Sequence, residues 1–232
     1  MKFTQLFFIL IFAFCKSETS TQELPSSCTP GSFIENEGVL IIEMEEGELS
    51  EGWVFRSELD EFTGDGYIQW NGADSFSEPR IGLVEYTIEI THPGTYRFNW
   101  RSRIGIGDDI TEHNDTWLAI PNADAFFATQ GTNSVVYPHG SGKTPTPEGA
   151  GSGGWFKVYM NTVHNWHWDA NTSDNDAHQI YATFNEAGTY TIKISGRSNG
   201  HAIDRIVLYH ESIEASLAQN LELPSNLCYV DK

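Results

Sequence analysis

Residues 83–101 read LVEYTIEITHPGTYRFNWR, and two strands and a turn are legible in them. Val84, Tyr86, Ile88 and Ile90 alternate with Glu85, Thr87 and Glu89, a two-residue period that puts the apolar side chains on one face of a half-buried strand. His92-Pro93-Gly94 has turn chemistry. Beyond it Tyr96, Phe98 and Trp100 alternate with Arg97, Asn99 and Arg101, which only a second strand explains.

A similar phrase recurs at Asn185–Tyr190, a turn feeding a strand that continues through Ile192 and Ile194. Val39–Glu45, Thr116–Ile120, Trp155–Met160, His178–Phe184 and Ile203–Tyr209 have strand composition and are separated by loops rich in Gly, Asn, Asp and Ser. Aromatic residues are 13% of the 232 and there are 21 glycines, with no long Ala/Leu/Lys/Glu run. The reading is all-β, a single jelly-roll β-sandwich. Residues 139–154 form a long Gly/Ser/Thr/Pro loop, and loops of that length are commonly functional or mobile.

The expected organisation is a signal peptide over 1–17, a Ser/Thr/Pro-rich spacer over 18–37, the sandwich over 38–211, and a tail over 212–232 with a short helical stretch in Glu211–Asn220. The apolar run Phe3–Phe14 is too short to span a bilayer and suits a secretory signal, so a secreted or cell-surface protein with no transmembrane segment is expected. Cys15 either leaves with the signal or carries a lipid. Cys28 and Cys228 then remain as an even pair in an oxidising compartment, either bridged across the whole domain or free in frayed tails.

Thirteen Lys and Arg against 32 Asp and Glu give a net charge of −19. Nucleic acid is excluded as a partner because phosphate binding needs clustered cations. Anionic polysaccharides are repelled at long range, so neutral or zwitterionic partners fit best. A monomer is expected.

Glu43 and Glu45 are two apart and share their side of the first strand with Val39 and Ile41; Asp204 shares its side of the last strand with Ile206 and Leu208. Carboxylates brought together away from water need protons, cations or a metal. Secreted proteins meet Ca²⁺, which accepts six to eight oxygens. The alternatives are solvation at strand ends or pairing with Arg205.

These stretches also carry a family resemblance. Ile42-Glu43-Met44-Glu45-Glu46 resembles the opening Ile-Glu-Ala-Glu-Asp of carbohydrate-binding modules of families 6 and 35, which are galactose-binding-domain-like sandwiches. Ala202-Ile203-Asp204-Arg205-Ile206 resembles their closing strand, and Gly66-Tyr67-Ile68 an intervening segment. The resemblance implies non-catalytic binding of polysaccharide or oligosaccharide, a structural Ca²⁺ held by Glu43, Glu45 and Asp204, and a sugar ring sandwiched between Tyr67 and a later tryptophan. Trp166 or Trp168 is favoured for that second wall over Trp155. Met44 replaces the usual alanine, and Ala202 stands where an asparagine is usual, so Arg197, Asn199 and His201 are the replacement candidates for contacting sugar hydroxyls.

Two other readings stay open. A jelly-roll polysaccharide lyase or glycosidase would use Asp108, Asp109 and His113, and an adhesion or structural sandwich would keep its aromatics in the core. Gly142-Lys143-Thr144 and Asp169–Asp174 fail as a phosphate loop and a calcium hand because each lacks a required glycine. The histidines His164, His167 and His178 fit no zinc spacing.

Overall fold

A computed structural model describes residues 28–132 and 134–229. The signal-peptide and Cys15 expectations lie outside the described residues. Among those residues, no helix is long and apolar enough to cross a membrane.

Nearly all of the regular structure among the described residues is strand. In order, the strands are β1 (Phe33–Ile34), β2 (Val39–Glu43), β3 (Trp53–Arg56), β4 (Tyr67–Trp70), β5 (Val84–Ile90), β6 (Gly94–Ile104), β7 (Asp115–Ala119) and β8 (Ala125–Gln130). They continue as β9 (Ser134–Val136), β10 (Phe156–Tyr159), β11 (His167–Trp168), β12 (Asn171–Thr172), β13 (His178–Phe184), β14 (Gly188–Ser195) and β15 (His201–His210), followed by helix α1 (Ala215–Ala218).

Hydrogen bonding runs through one curled sheet in the order β1-β5-β14-β7-β10-β12-β13-β6-β15-β4-β3, with β2 joined to β15 and β8 to β13. One core fills the curl. The alternating residues of the 83–101 stretch enter it as their period requires, with Val84, Tyr86, Ile88, Ile90, Tyr96, Phe98 and Trp100 all buried there. Ile192 and Ile194 on β14 and Ile206 and Leu208 on β15 join them.

The first strand is shorter than its sequence suggests. β2 ends at Glu43, and Met44–Glu46 turn into a 3-10 helix. Leu40, Ile42 and Met44 face the main core, whereas Ile41 packs on Val207, Tyr209 and Ala218 in a smaller cluster under the C-terminal tail. Both faces of β2 are therefore covered, which is why it reads as a continuous apolar run rather than an alternation.

Two expectations need correction. The spacer does not extend to residue 37, because Phe33 and Ile34 are buried and pair in parallel with Ile88 and Glu89 of β5. Two hydrophobic residues inside a Ser/Pro context gave no period to read. Glu35, next in the chain, is buried and accepts hydrogen bonds from the backbone of Thr91 and His92, tying this segment to the 91–94 turn. The closing strand is also not regular. Its register against β6 slips between Ile203 and Arg205, so Asp204 is the extra residue of a bulge and does not share the Ile206–Leu208 face.

The tail returns to the start of the domain. Leu227 bridges Phe33, Asn226 Oδ1 accepts from the Ile41 N–H at 2.6 Å, and Cys28 and Cys228 form a disulfide with their Cα atoms 6.1 Å apart. With a sequence separation of 200, this bond closes nearly the whole domain into one loop. The chain-entropy model gives such a loop about 5 kcal/mol of stability. The double variant Cys28→Ser/Cys228→Ser is expected to unfold in urea with a stability lowered by up to that amount and with strand content unchanged by circular dichroism; equal stability would mean that the tail's non-covalent contacts suffice.

Candidate functional site

The bulge at Asp204 brings three strands and one loop to a single ionic seam. Arg205 of β15 lies opposite Glu43 of β2, and their side chains form an ion pair in which both groups are almost fully buried. Arg101 of β6 donates to Asp204 Oδ2 at 2.6 Å, again with both side chains buried. Thr63, from the loop between β3 and β4, stitches the two pairs together. Its N–H donates to Asp204 Oδ1 at 2.9 Å, and its hydroxyl lies 2.8 Å from Glu43 Oε2 and 3.1 Å from Asp204 Oδ2. Burial pushes the Asp204 carboxyl upward, and the Thr63 N–H and Arg101 oppose that shift.

Glu45 joins from the 3-10 turn that follows β2. Its Oε1 accepts from the N–H groups of Asp65 and Gly66 at 2.8 and 3.2 Å, but its Oε2 is buried with no partner. Burial, reinforced by the charge of Glu43, raises its carboxyl to about 7. The three acids expected at a metal are thus brought around the Thr63–Gly66 loop. Arginines, however, already neutralise Glu43 and Asp204, and among the described residues no three acidic, histidine or cysteine side chains converge as metal ligands. The donors are all oxygen, which suits a hard cation, and the unspent ligand atom is on Glu45.

Tyr67 and Trp166 also come together, with ring centroids 5.1 Å apart, and the Arg101 guanidinium lies 5.6 Å over the indole. They do not form an open platform. Tyr67 is 1% and Trp166 7% exposed. Leu59 and Phe62 of the 57–66 loop pack over them, and the indole N–H donates to the Asp60 carbonyl at 2.9 Å. A pyranose has no room between these rings, so the expected Tyr67–Trp166 sandwich is corrected to a capped aromatic cluster. The cap comes from a polar-looking loop whose two apolar residues show no period.

Trp168 is half-buried. It pairs with Arg101 through β11 and packs in the cluster under the tail with Ile41, Val207 and Tyr209. His201 cannot contact a ligand, since it is completely buried with Nδ1 2.8 Å from Thr116 Oγ1. The side chain of Asn199 is spent on the Gly72 carbonyl at 2.8 Å. Of the three replacement candidates, only Arg197 lines an open cavity.

That cavity lies at the loop end, where the β4–β5, β6–β7 and β14–β15 connections meet. It has a volume of ≈ 460 Å³ and is lined by Asp74, Phe76, Thr111, Glu112, His113, Asp115, Lys157, Arg197 and Ser198. Arg197 is ion-paired with Asp115 and sits between two rings, 4.9 Å from the Phe76 centroid and 5.0 Å from that of Trp117. Trp117 is buried, whereas Phe76 is 58% exposed. An adjoining groove of ≈ 350 Å³ shares Thr111, Asp115 and Lys157 and adds Tyr159, Asn161 and Asp174. Sequence reasoning missed Phe76, a single aromatic in the Ser/Pro-flanked run Ser75-Phe76-Ser77-Glu78-Pro79, with no period to mark it.

The candidate catalytic acids do not assemble. Asp109 accepts from the N–H and hydroxyl of its neighbour Thr111, which lowers its carboxyl, and Asp108 lies 3.5 Å from His164 in an exposed pair. His113 does line the groove, with its Nδ1 held by the Asn199 carbonyl.

No protein-family model matches the sequence, and no curated protein does. Several solved structures are similar. The GH26-CBM35 β-(1,4)-mannanase of Podospora anserina is 18% identical over 77% of this chain and 29% of that chain, with a TM-score of 0.46. A family 35 carbohydrate-binding module from Clostridium thermocellum is 13% identical over 74% of this chain and 98% of its own, with a TM-score of 0.42. The C-terminal family 6 module of a marine laminarinase from Zobellia galactanivorans is 15% identical over 74% of this chain and 98% of its own, with a TM-score of 0.36. The chain therefore spans less than a third of the length of the mannanase.

Burial alone depresses His201 to about 3, so the folded protein keeps it neutral while the unfolded chain protonates it near 6.5. The unfolded state binds the extra proton between those values, so this contribution is intact above pH 6.5 and is lost as pH falls. His201→Gln is expected to flatten the acid side of the stability–pH curve by up to about 1.4 kcal/mol per pH unit. Parallel curves for the two proteins between pH 6 and 4 would show that His201 takes up its proton in the folded state.

Proposed function

We propose that this is a secreted, monomeric, non-catalytic carbohydrate-binding sandwich, and that it takes its ligand in the loop-end groove beside Phe76. The observation that carries the reading is an exposed aromatic ring set against Arg197 in a concave site lined by further charged and hydroxyl groups. A sugar ring has an apolar C–H face that stacks on an aromatic, and hydroxyls that need directed polar partners. Phe76 offers the first. Arg197, Lys157, Asp74, Glu112, His113 and Thr111 offer the second. The motif resemblance to families 6 and 35 supports the same ligand class. Binding rather than catalysis is favoured because Asp115, the most enclosed acid of the groove, is committed to Arg197 and Ser198.

Affinity electrophoresis against neutral β-glucan, mannan and xylan tests this directly. Wild-type protein is expected to be retarded on at least one gel. Phe76→Ala is expected to weaken that retardation by about 2- to 10-fold, the equivalent of roughly 0.5–1.5 kcal/mol for one aromatic contact. Because Phe76 is exposed, the melting temperature should not move. Retardation unchanged by Phe76→Ala would rule out the loop-end groove as the site, and retardation lost only on Trp166→Ala would require the 57–66 loop to open over the capped cluster.

Calcium belongs to the same reading. Glu45 would hold the ion, with Glu43 and Asp204 as the neighbouring oxygen donors, and its role would be to compensate a buried carboxylate rather than to touch sugar. Millimolar CaCl₂ is expected to raise the melting temperature over that in EGTA, and Glu45→Gln to abolish the difference. An identical melting temperature in both conditions would leave the arginines as the only counter-charges of the seam.

A further inference from the structure

A second cavity, slightly larger than the loop-end groove, lies elsewhere on the fold. It has a volume of ≈ 500 Å³ and lies on the outer face of β7 and β14, against the long 137–155 loop. Its wall is apolar: Leu83 and Ala119 cluster with Trp117 and Trp155, and Phe126 and Pro121 complete the surface. Its border is cationic, with Arg80, Lys143 and Lys193 as charged lining residues and Asp124 as the acid among them. Asp124 is turned to another task, its Oδ2 accepting from the Asn185 N–H at 2.8 Å.

This charge pattern inverts that of the chain, in which 32 acids face 13 Lys and Arg. Lys193 has Glu85 as a partner at 2.5 Å. Among the described residues, neither Arg80 nor Lys143 lies within ion-pair distance of a carboxylate, and the Lys143 ammonium sits 5.5 Å over the Tyr137 ring. Arg80 is also held in a backbone conformation that side chains other than glycine rarely adopt, at φ 92°, with its N–H donating to Ser195 Oγ at 2.7 Å. Such strain persists where the surroundings over-determine it, and it points the residue to a task other than stability.

We propose that this cavity is a second ligand site, separate from the loop-end groove, and that it takes an oligosaccharide bearing sulfate or carboxylate groups. The ring's C–H surface would lie on the apolar wall. Its anionic oxygens would meet Arg80 and Lys143, where charge-assisted hydrogen bonds are stronger than neutral ones and a guanidinium matches two oxygens at once. The overall negative charge acts at long range and is screened within about 8 Å at physiological salt, so a local cationic rim can still select an anionic ligand.

Calorimetry at roughly 0.15 M NaCl tests the proposal with a sulfated carrageenan tetrasaccharide, a tetragalacturonate, neutral laminaritetraose and inorganic sulfate. One of the two anionic oligosaccharides is expected to bind, and which one tells sulfate from carboxylate. Arg80→Gly removes the cation and relieves the positive φ, so it should hold or raise the melting temperature while weakening that binding at least tenfold. Lys143→Glu should weaken it likewise. Arg56→Glu, an equal change of net charge on β3, should not. The proposal is overturned if neither anionic oligosaccharide binds, if sulfate alone binds as tightly as the sugar, or if Arg80→Gly and Lys143→Glu bind like wild type. Laminaritetraose reports on the loop-end groove, so a failure there leaves the anionic result to stand by itself.

Discussion

The arrangement depends on a buried ionic seam at the bulge of the closing strand. Asp204 is fully enclosed, and an isolated carboxylate there would cost several kcal/mol. Arg101 from the adjoining strand and Thr63 from the 57–66 loop answer it, while Arg205, one residue on, answers Glu43. An additional residue at this point turns Asp204 away from the Ile206–Leu208 face and towards those partners. The opening strand, the closing strand, β6 and the 57–66 loop are joined at one place as a result.

That junction decides which aromatic rings are covered. The loop held by Thr63 carries Leu59, Asp60 and Phe62 over Tyr67 and Trp166, so the two rings that the sequence suggests as a platform are instead roofed. The surfaces left open lie elsewhere. One is the loop-end groove, where Phe76 is exposed against an arginine already oriented by Asp115. The other is the cationic cavity on the outer face of β7 and β14. The first presents mixed charges around an aromatic ring and the second presents cations around an apolar wall, so they suit ligands of different charge.

The sequence showed the fold well where burial is one-sided. Residues 83–101 and 188–194 alternate because one face meets the core and the other meets solvent, and that contrast is visible in residue types alone. It failed where both faces are covered or where an element is very short. β2 is covered on both sides, and its last turn winds into a 3-10 helix; β1 is two residues long and lies inside a stretch with spacer composition. For the site, the resemblance of the opening and closing strands implied that Glu43, Glu45 and Asp204 lie near one another, and it set Tyr67 beside Trp166 or Trp168 without choosing between them. Their surroundings were not legible. Arg101 reaches Asp204 only because of a bulge, and bulges leave no mark in a two-residue period. Phe76 and Arg80 lie in loops, where exposure and backbone angle are set by tertiary packing rather than by local pattern.

Urea denaturation of Arg101→Met in EGTA tests the seam most directly. The variant keeps the side-chain bulk but leaves Asp204 enclosed without its cation. The account predicts a loss of about 3–5 kcal/mol, the cost of breaking a buried pair from one side. Unfolding at the wild-type midpoint, or at a higher one, would contradict it and would mean that Asp204 is protonated or otherwise satisfied and that the 57–66 loop is held by something else.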